Sequence, residues 1–200
     1  YRYIDGKIEN VYEKEAEFGL PQWVFGMSTY DFKSESKIIC SYTEEGRWYL
    51  AEIDVNSKEL SSIDLPYTFI SSLRVAQDRA VFEAGASDKV SSILYLELDT
   101  EDFEIIRSSR DISMDGGYLS VPESISFPTE NQQEAYGLYY PPVNKDYEGP
   151  EGELPPLIVI SHGGPTSSIS TELRLGIQFW TSRGFAVLDV LAHNDVEVIL

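Results

Sequence analysis

This chain of 200 residues is poor in positive charge: 15 Lys and Arg stand against 34 Asp and Glu, a formal net charge of -19. A deficit of that size excludes a nucleic-acid binder, because phosphate contacts need clustered Lys and Arg. It also argues against an anionic membrane surface, and its plain consequence is solubility. Cysteine is nearly missing. Cys40 is the one copy, so no intrachain disulfide forms. A reducing compartment is therefore expected, the cytoplasm first, with an organelle such as the chloroplast left open. Within the apolar run Ile38-Ile39-Cys40 this thiol reads as buried and structural. No apolar run approaches the roughly 18 residues that a membrane helix requires. Two histidines and one cysteine offer no metal-ligand spacing, and no phosphate loop occurs, so neither a metal nor another cofactor is expected. The chain opens at Tyr1, with no Met and no basic-plus-apolar leader, and reads as an excerpt of a longer one.

What is present suffices for a core: 42% hydrophobic residues, with 13 tyrosines. Residues 28 to 110 repeat themselves. Ser36 to Cys40 resembles Asp78 to Phe82 at an offset of 42, and Leu50 to Asp54 resembles Tyr95 to Asp99 at an offset of 45. One loop insertion accounts for the difference, the hairpin loops being Thr43 to Gly46 in one copy and Gly85 to Ser91 in the other. Four-stranded units recurring about every 40 to 50 residues are the signature of a β-propeller. Only two copies are clear, with a partial one in residues 1 to 27, so residues 1–120 are expected to form an incomplete propeller of about two to three blades. Open blades leave unpaired strand edges, which predicts poor solubility despite the charge.

From Val121 the texture changes. Pro122 to Pro128 and Ala135 to Tyr140 alternate around a turn at Thr129-Glu130-Asn131 and read as an antiparallel hairpin. The stretch from Pro141 to Pro156 holds five prolines and reads as an exposed loop. Leu157 to Ser161 is an apolar run that fits a parallel strand covered on both faces. It runs into His162-Gly163-Gly164-Pro165, where two glycines allow a sharp turn and close approach of a ligand. Ile169, Leu173, Ile177 and Trp180 draw one apolar stripe on a helix, Arg183 complements its dipole and Gly184 caps it. Phe185 to Val190 is another apolar strand, so strand, helix and strand predict a βαβ unit and a parallel sheet. Open α/β sheets place their chemistry outside the carboxyl ends of such strands, which is where His162 falls.

Propeller repeat, hairpin, Pro-rich loop and a strand ending in His-Gly-Gly-Pro together resemble the prolyl oligopeptidase family of serine peptidases, in its acylaminoacyl-peptidase or dipeptidyl-peptidase-like branch. The residues that carry the resemblance are Pro122 to Pro128, Ala135 to Pro142, Ile158 to Pro165 and Phe179 to Val190. It implies a propeller fragment followed, over residues 121–200, by the N-terminal portion of an α/β-hydrolase domain. It further implies cleavage of peptide bonds in oligopeptide substrates by a Ser-Asp-His triad, with His162, Gly163 and Gly164 lining the oxyanion-hole region. A tetrahedral oxyanion needs preorganised donors, which backbone amides of a glycine turn or a side chain at position 162 can supply.

The nucleophile is missing. No Gly-x-Ser-x-Gly elbow occurs, since Gly26-Met27-Ser28 and Gly85-Ala86-Ser87 lack the second glycine. In α/β-hydrolases the triad follows the oxyanion loop, and only ten residues remain after Val190, so this chain alone is predicted to be inert. Residues 191–200 also depart from the Gly-rich loop the resemblance implies, as a splice variant, a truncation or a gene-model error would. His193 and Asp195 read as a polar loop, Asp189 as a loop or cap residue, and Glu44 and Glu45 as a solvated hairpin. Two other readings stay open: a non-catalytic propeller interaction module, and an esterase parent sharing the His-Gly-Gly turn.

Overall fold

The computed structural model describes residues 1–21, 25–130, 133–163 and 169–191, with Leu191 as backbone only. Expectations for Asn131, Gly164, Pro165, His193, Asp195 and the rest of the tail past 191 lie outside the described residues. The chain divides into two compact units, Tyr1–Gly85 with Ser91–Arg110, and Ala86–Val90 with Asp111–Leu200.

The first unit is all β. A short hairpin, β1 (Arg2–Ile4) and β2 (Lys7–Glu9), precedes two four-stranded antiparallel sheets. One runs β3 (Tyr30–Phe32), β4 (Lys37–Glu44), β5 (Arg47–Asp54), β6 (Glu59–Ile63). The other runs β7 (Phe69–Ala76), β8 (Arg79–Ala86), β9 (Lys89–Glu97), β10 (Phe103–Ser108). Each strand neighbours the next in sequence, as in propeller blades. Alternation selects the buried face: in β8, Ala80, Phe82 and Ala84 are buried while Arg79 and Val81 are exposed. The two blades share a core that includes Ile39, Leu50, Phe82 and Leu94, and Asp31 of β3 accepts the Val75 amide of β7 at 2.9 Å. The opposite face of the first blade, with Cys40, Tyr42 and Ile53, is closed by Val11, Ala16 and Phe18.

Two expectations for the repeat need correction. The hairpin loops are equally short, Glu45-Gly46 and Ser87-Asp88, so no insertion separates them. The first is a tight turn with both residues left-handed, φ 51° and 78°, as two-residue hairpins prefer. At the open ends of the two hairpins, Val55 N–H donates to Ser36 C=O and Leu98 N–H to Asp78 C=O, both at 2.8 Å. The second half of the repeat is thus offset by 43, from Val55 to Leu98, rather than 45. A slip of two residues preserves which side chains face inward, so alternation alone does not detect it.

The second unit holds β11 (Glu123–Pro128), β12 (Glu134–Tyr140), β13 (Leu157–Ser161), α1 (Leu175–Thr181) and β14 (Ala186–Leu191). The sheet order is β11-β12-β14-β13, with β13 and β14 parallel and the other pairs antiparallel. Its core comprises Leu138, Tyr140, Ile169, Ile177 and Val187, with Ile158 and Ile160 against it. The hairpin, both strands and the parallel pairing match the sequence reading. Full burial of β13 does not: Leu157 and Val159 are 52% and 59% exposed, because only the face bearing Ile158 and Ile160 is covered.

The helix is also shorter than its stripe. Ile169 and Leu173 precede it, and Arg174 holds the N-cap position in an extended conformation (φ -106°, ψ 101°). Upstream, the Ser170 hydroxyl accepts the Glu172 amide at 3.2 Å, a local bond that competes with helix formation. The buried helical residues are Ile177, Gln178 and Thr181 rather than Trp180. The end follows expectation: Gly184 is left-handed at φ 87°, and the Arg183 guanidinium lies 3.7 Å from the Phe179 ring centroid and donates to the Phe179 carbonyl at 2.9 Å. Among the described residues no helix is long and apolar enough to cross a membrane.

Candidate functional site

Parallel pairing places the expected turn. Ile160 lies opposite Asp189 and Ser161 opposite Val190, so His162 emerges at the carboxyl end of β13 next to the carboxyl end of β14. His162 is half-buried and Gly163 exposed; Gly164 lies outside the described residues. Gly163 is not left-handed, and a Cβ there would meet no described atom within 4 Å. Against the described residues, the glycine therefore leaves space beside the strand end and relieves no backbone clash.

Gly137 is the opposite case. It faces Val190 across the β12–β14 ladder, and a Cβ there would stand 2.8 Å from Leu188 Cδ1 and 3.0 Å from the Asp189 carbonyl. The missing side chain lets β12 lie close against β14 just where Asp189 sits.

Behind the turn is a polar cluster that the sequence reading did not assemble. Asp189, treated above as a loop or cap residue, is inside β14 and 2% exposed. Its Oδ2 accepts a hydrogen bond from the guanidinium of Arg174, the residue that begins α1. Burial pushes the Asp189 carboxyl above the ordinary aspartate range; the charge and hydrogen bond of Arg174, and then the charge of His162, oppose that rise. Tyr140 on β12 is 1% exposed, and its hydroxyl has no hydrogen-bond partner among the described residues. Burial, reinforced by Asp189, pushes that phenol up to about 12, so it stays protonated at neutral pH. Arg174 and His162 thus meet Asp189 toward the carboxyl end of β14, and Tyr140, opposite Val187 nearer the start of that strand, lies close enough for its phenol to feel the Asp189 charge. One signal was legible: an aspartate interrupting the apolar run Ala186 to Val190 must be paired if that strand is buried.

Gln178 steadies α1 from its other side. Its Nε2 donates to the carbonyls of Ser120 (2.9 Å) and Ser87 (3.2 Å), and its Oε1 accepts the Ser120 amide at 2.7 Å. A buried amide satisfied at both ends fixes the helix register. Of the other residues weighed, Glu44 pairs with Lys14 at 2.9 Å and Cys40 is buried, its thiol pushed up to about 12 by burial. Among the described residues no group of three His, Cys, Asp or Glu is arranged to hold a metal ion.

Solved structures of known enzymes resemble the fold of this chain. A puromycin-hydrolyzing peptidase of Mycobacterium tuberculosis matches 92% of the chain at 29% identity with a TM-score of 0.87. A prolyl endopeptidase matches 84% at 15% identity, TM-score 0.65, and the Pyrococcus horikoshii acylaminoacyl peptidase 82% at 20% identity, TM-score 0.55; these two likenesses speak for the fold. The chain spans only 29%, 24% and 24% of those three proteins. No family model and no curated protein matches it.

Proposed function

Because the chain belongs to the prolyl oligopeptidase family of serine peptidases, we propose that it is part of a peptidase that hydrolyses peptide bonds of oligopeptides through an acyl-serine intermediate. Residues 1–120 are the closing blades of its propeller, and residues 121–200 begin its α/β-hydrolase domain. His162, Gly163 and Gly164 line the oxyanion hole. The chain by itself is inert, since no Gly-x-Ser-x-Gly elbow is present. The cytoplasm is its compartment.

The observation that carries the reading is the position of His162, at the carboxyl end of a parallel strand in a sheet ordered β11-β12-β14-β13. Chemistry in open α/β sheets gathers at that edge. The open space beside Gly163 lets a substrate carbonyl approach the backbone. A donor there, held in place before reaction, lowers the barrier to the tetrahedral intermediate by about 3 to 4 kcal/mol. The acidic surface, with a net charge of -19, favours encounter with cationic peptides over anionic ones.

The test is a graft. Residues 121–190 replace the matching segment of the M. tuberculosis peptidase, which supplies its own serine, and turnover is measured. Retained turnover is expected; an intact, folded chimera without activity sinks the reading.

A further inference from the structure

Resting on the reading of the His162 turn as part of an oxyanion hole, we infer that Asp189 is the positioning residue of that turn and that Arg174 is the clamp through which it acts. Three observations meet at this carboxylate. Strand pairing sets Ile160 opposite Asp189, so the chain departs into His162 two residues beyond it. Arg174, where the chain arrives at α1, reaches back to Asp189 Oδ2. The connection thus leaves and returns at one buried side chain. Its return is further set by Ile169, 7% exposed and part of the same core as Ile177.

A purely structural role fits this position poorly. Val187, on the same face of β14, packs into the apolar cluster with Leu138 and Ile177, and an apolar residue at 189 would extend that face in the same way. Burying a carboxylate costs several kcal/mol before its partner compensates. Arg174 compensates from one side only, its own side chain being 46% exposed. Among the described residues, the other groups facing the carboxylate are the Tyr140 phenol on β12, neutral at physiological pH, and His162 after β13, whose charge favours the ionised carboxyl. A charge retained at such cost, between the two ends of one connection, acts on that connection.

The test uses the 200-residue chain, NMR relaxation of its backbone amides, and Asp189→Asn, which keeps the shape and removes the charge. Amide order parameters of His162 and Gly163 should fall from the rigid range, about 0.85, toward about 0.6, while those of Leu138 and Val187 hold. Arg174→Gln should do the same, and the double variant should go no further than either single one, since both remove the same bond. The His162 ring resonance should carry a pH inflection from the Asp189 carboxyl in the unaltered chain, and that inflection should vanish in Asp189→Asn; a merely structural residue would not move it. A uniform loss of order, an unchanged turn, or additive effects would overturn the inference. If Asp189→Asn does not fold, Arg174→Gln at its half-exposed position decides alone: local loosening of the turn supports the clamp, and none refutes it. None of these readouts needs turnover. An inactive graft with a loosened turn therefore removes the functional reading alone, and an active graft with an indifferent turn removes this inference alone.

Discussion

The two blades and the sheet of the second unit contain four strands each and differ in how the chain visits them. In the blades, every strand lies beside its neighbour in sequence, joined by short turns. In the second unit, β14 inserts between β12 and β13, and a parallel pair needs a crossover connection. A meander can be closed by turns alone and leaves its sequence free to build a core. An out-of-order sheet must carry long connections at the strand ends, where backbone and side chains are available for chemistry. In this molecule, the shared apolar core lies in the meanders and the buried charge at the end of the crossover.

That contrast can be broken by substitution. The largest effect is expected for Phe82→Ala, which empties the core shared by the blades at a residue 1% exposed. Such truncations cost about 3 to 5 kcal/mol. Hydrogen exchange should accelerate across β4, β5, β8 and β9, and slow blade exchange persisting in the variant would show that the two sheets do not depend on one core. Next in size is Gly137→Ala, which forces a methyl against Leu188 and the Asp189 carbonyl and should cost about 1 to 3 kcal/mol. Exchange in β12 and β14 reads it, and a neutral outcome would mean that the ladder spreads easily.

How far the sequence revealed these features follows the same contrast. Recurrence of similar apolar segments located the blade strands, since inward residues such as Ala80, Phe82 and Ala84 are set by burial alone. It missed the true offset of the repeat because a two-residue slip leaves that pattern intact. In the second unit, the strand ending at Ser161 and the turn at His162 were legible from composition. The Arg174–Asp189 bond was not, for it joins residues whose pairing depends on the β13–β14 register. The start of α1 was misplaced for a related reason: Ile169 is apolar because it enters the sheet's core, not because it continues a helical stripe.

A smaller effect is expected from pH. Burial raises Asp189 above the ordinary aspartate value, so the folded state holds this proton more tightly than the unfolded chain. The contribution of this group to stability is then fully present below the ordinary aspartate value and declines as pH rises through the raised one. Relative to Asp189→Asn, the unaltered chain should lose ground in thermal melts as pH rises above the ordinary aspartate value. A gap that widens in its favour with rising pH would show that Arg174 dominates the carboxyl. The smallest effect is chemical: Cys40, 3% exposed with its thiol pushed up to about 12, should resist thiol reagents at neutral pH until the first blade opens. Rapid labelling of the folded chain would count against the covered face of that blade.

The central claim is that this chain contributes the wall of an oxyanion hole but not the serine that attacks there. Fluorophosphonate labelling of the 200-residue chain beside the grafted peptidase tests it most directly. The account predicts covalent label on the chimera at its own nucleophile and none on the chain alone. Label on the isolated chain, or a folded chimera that takes none, would contradict it.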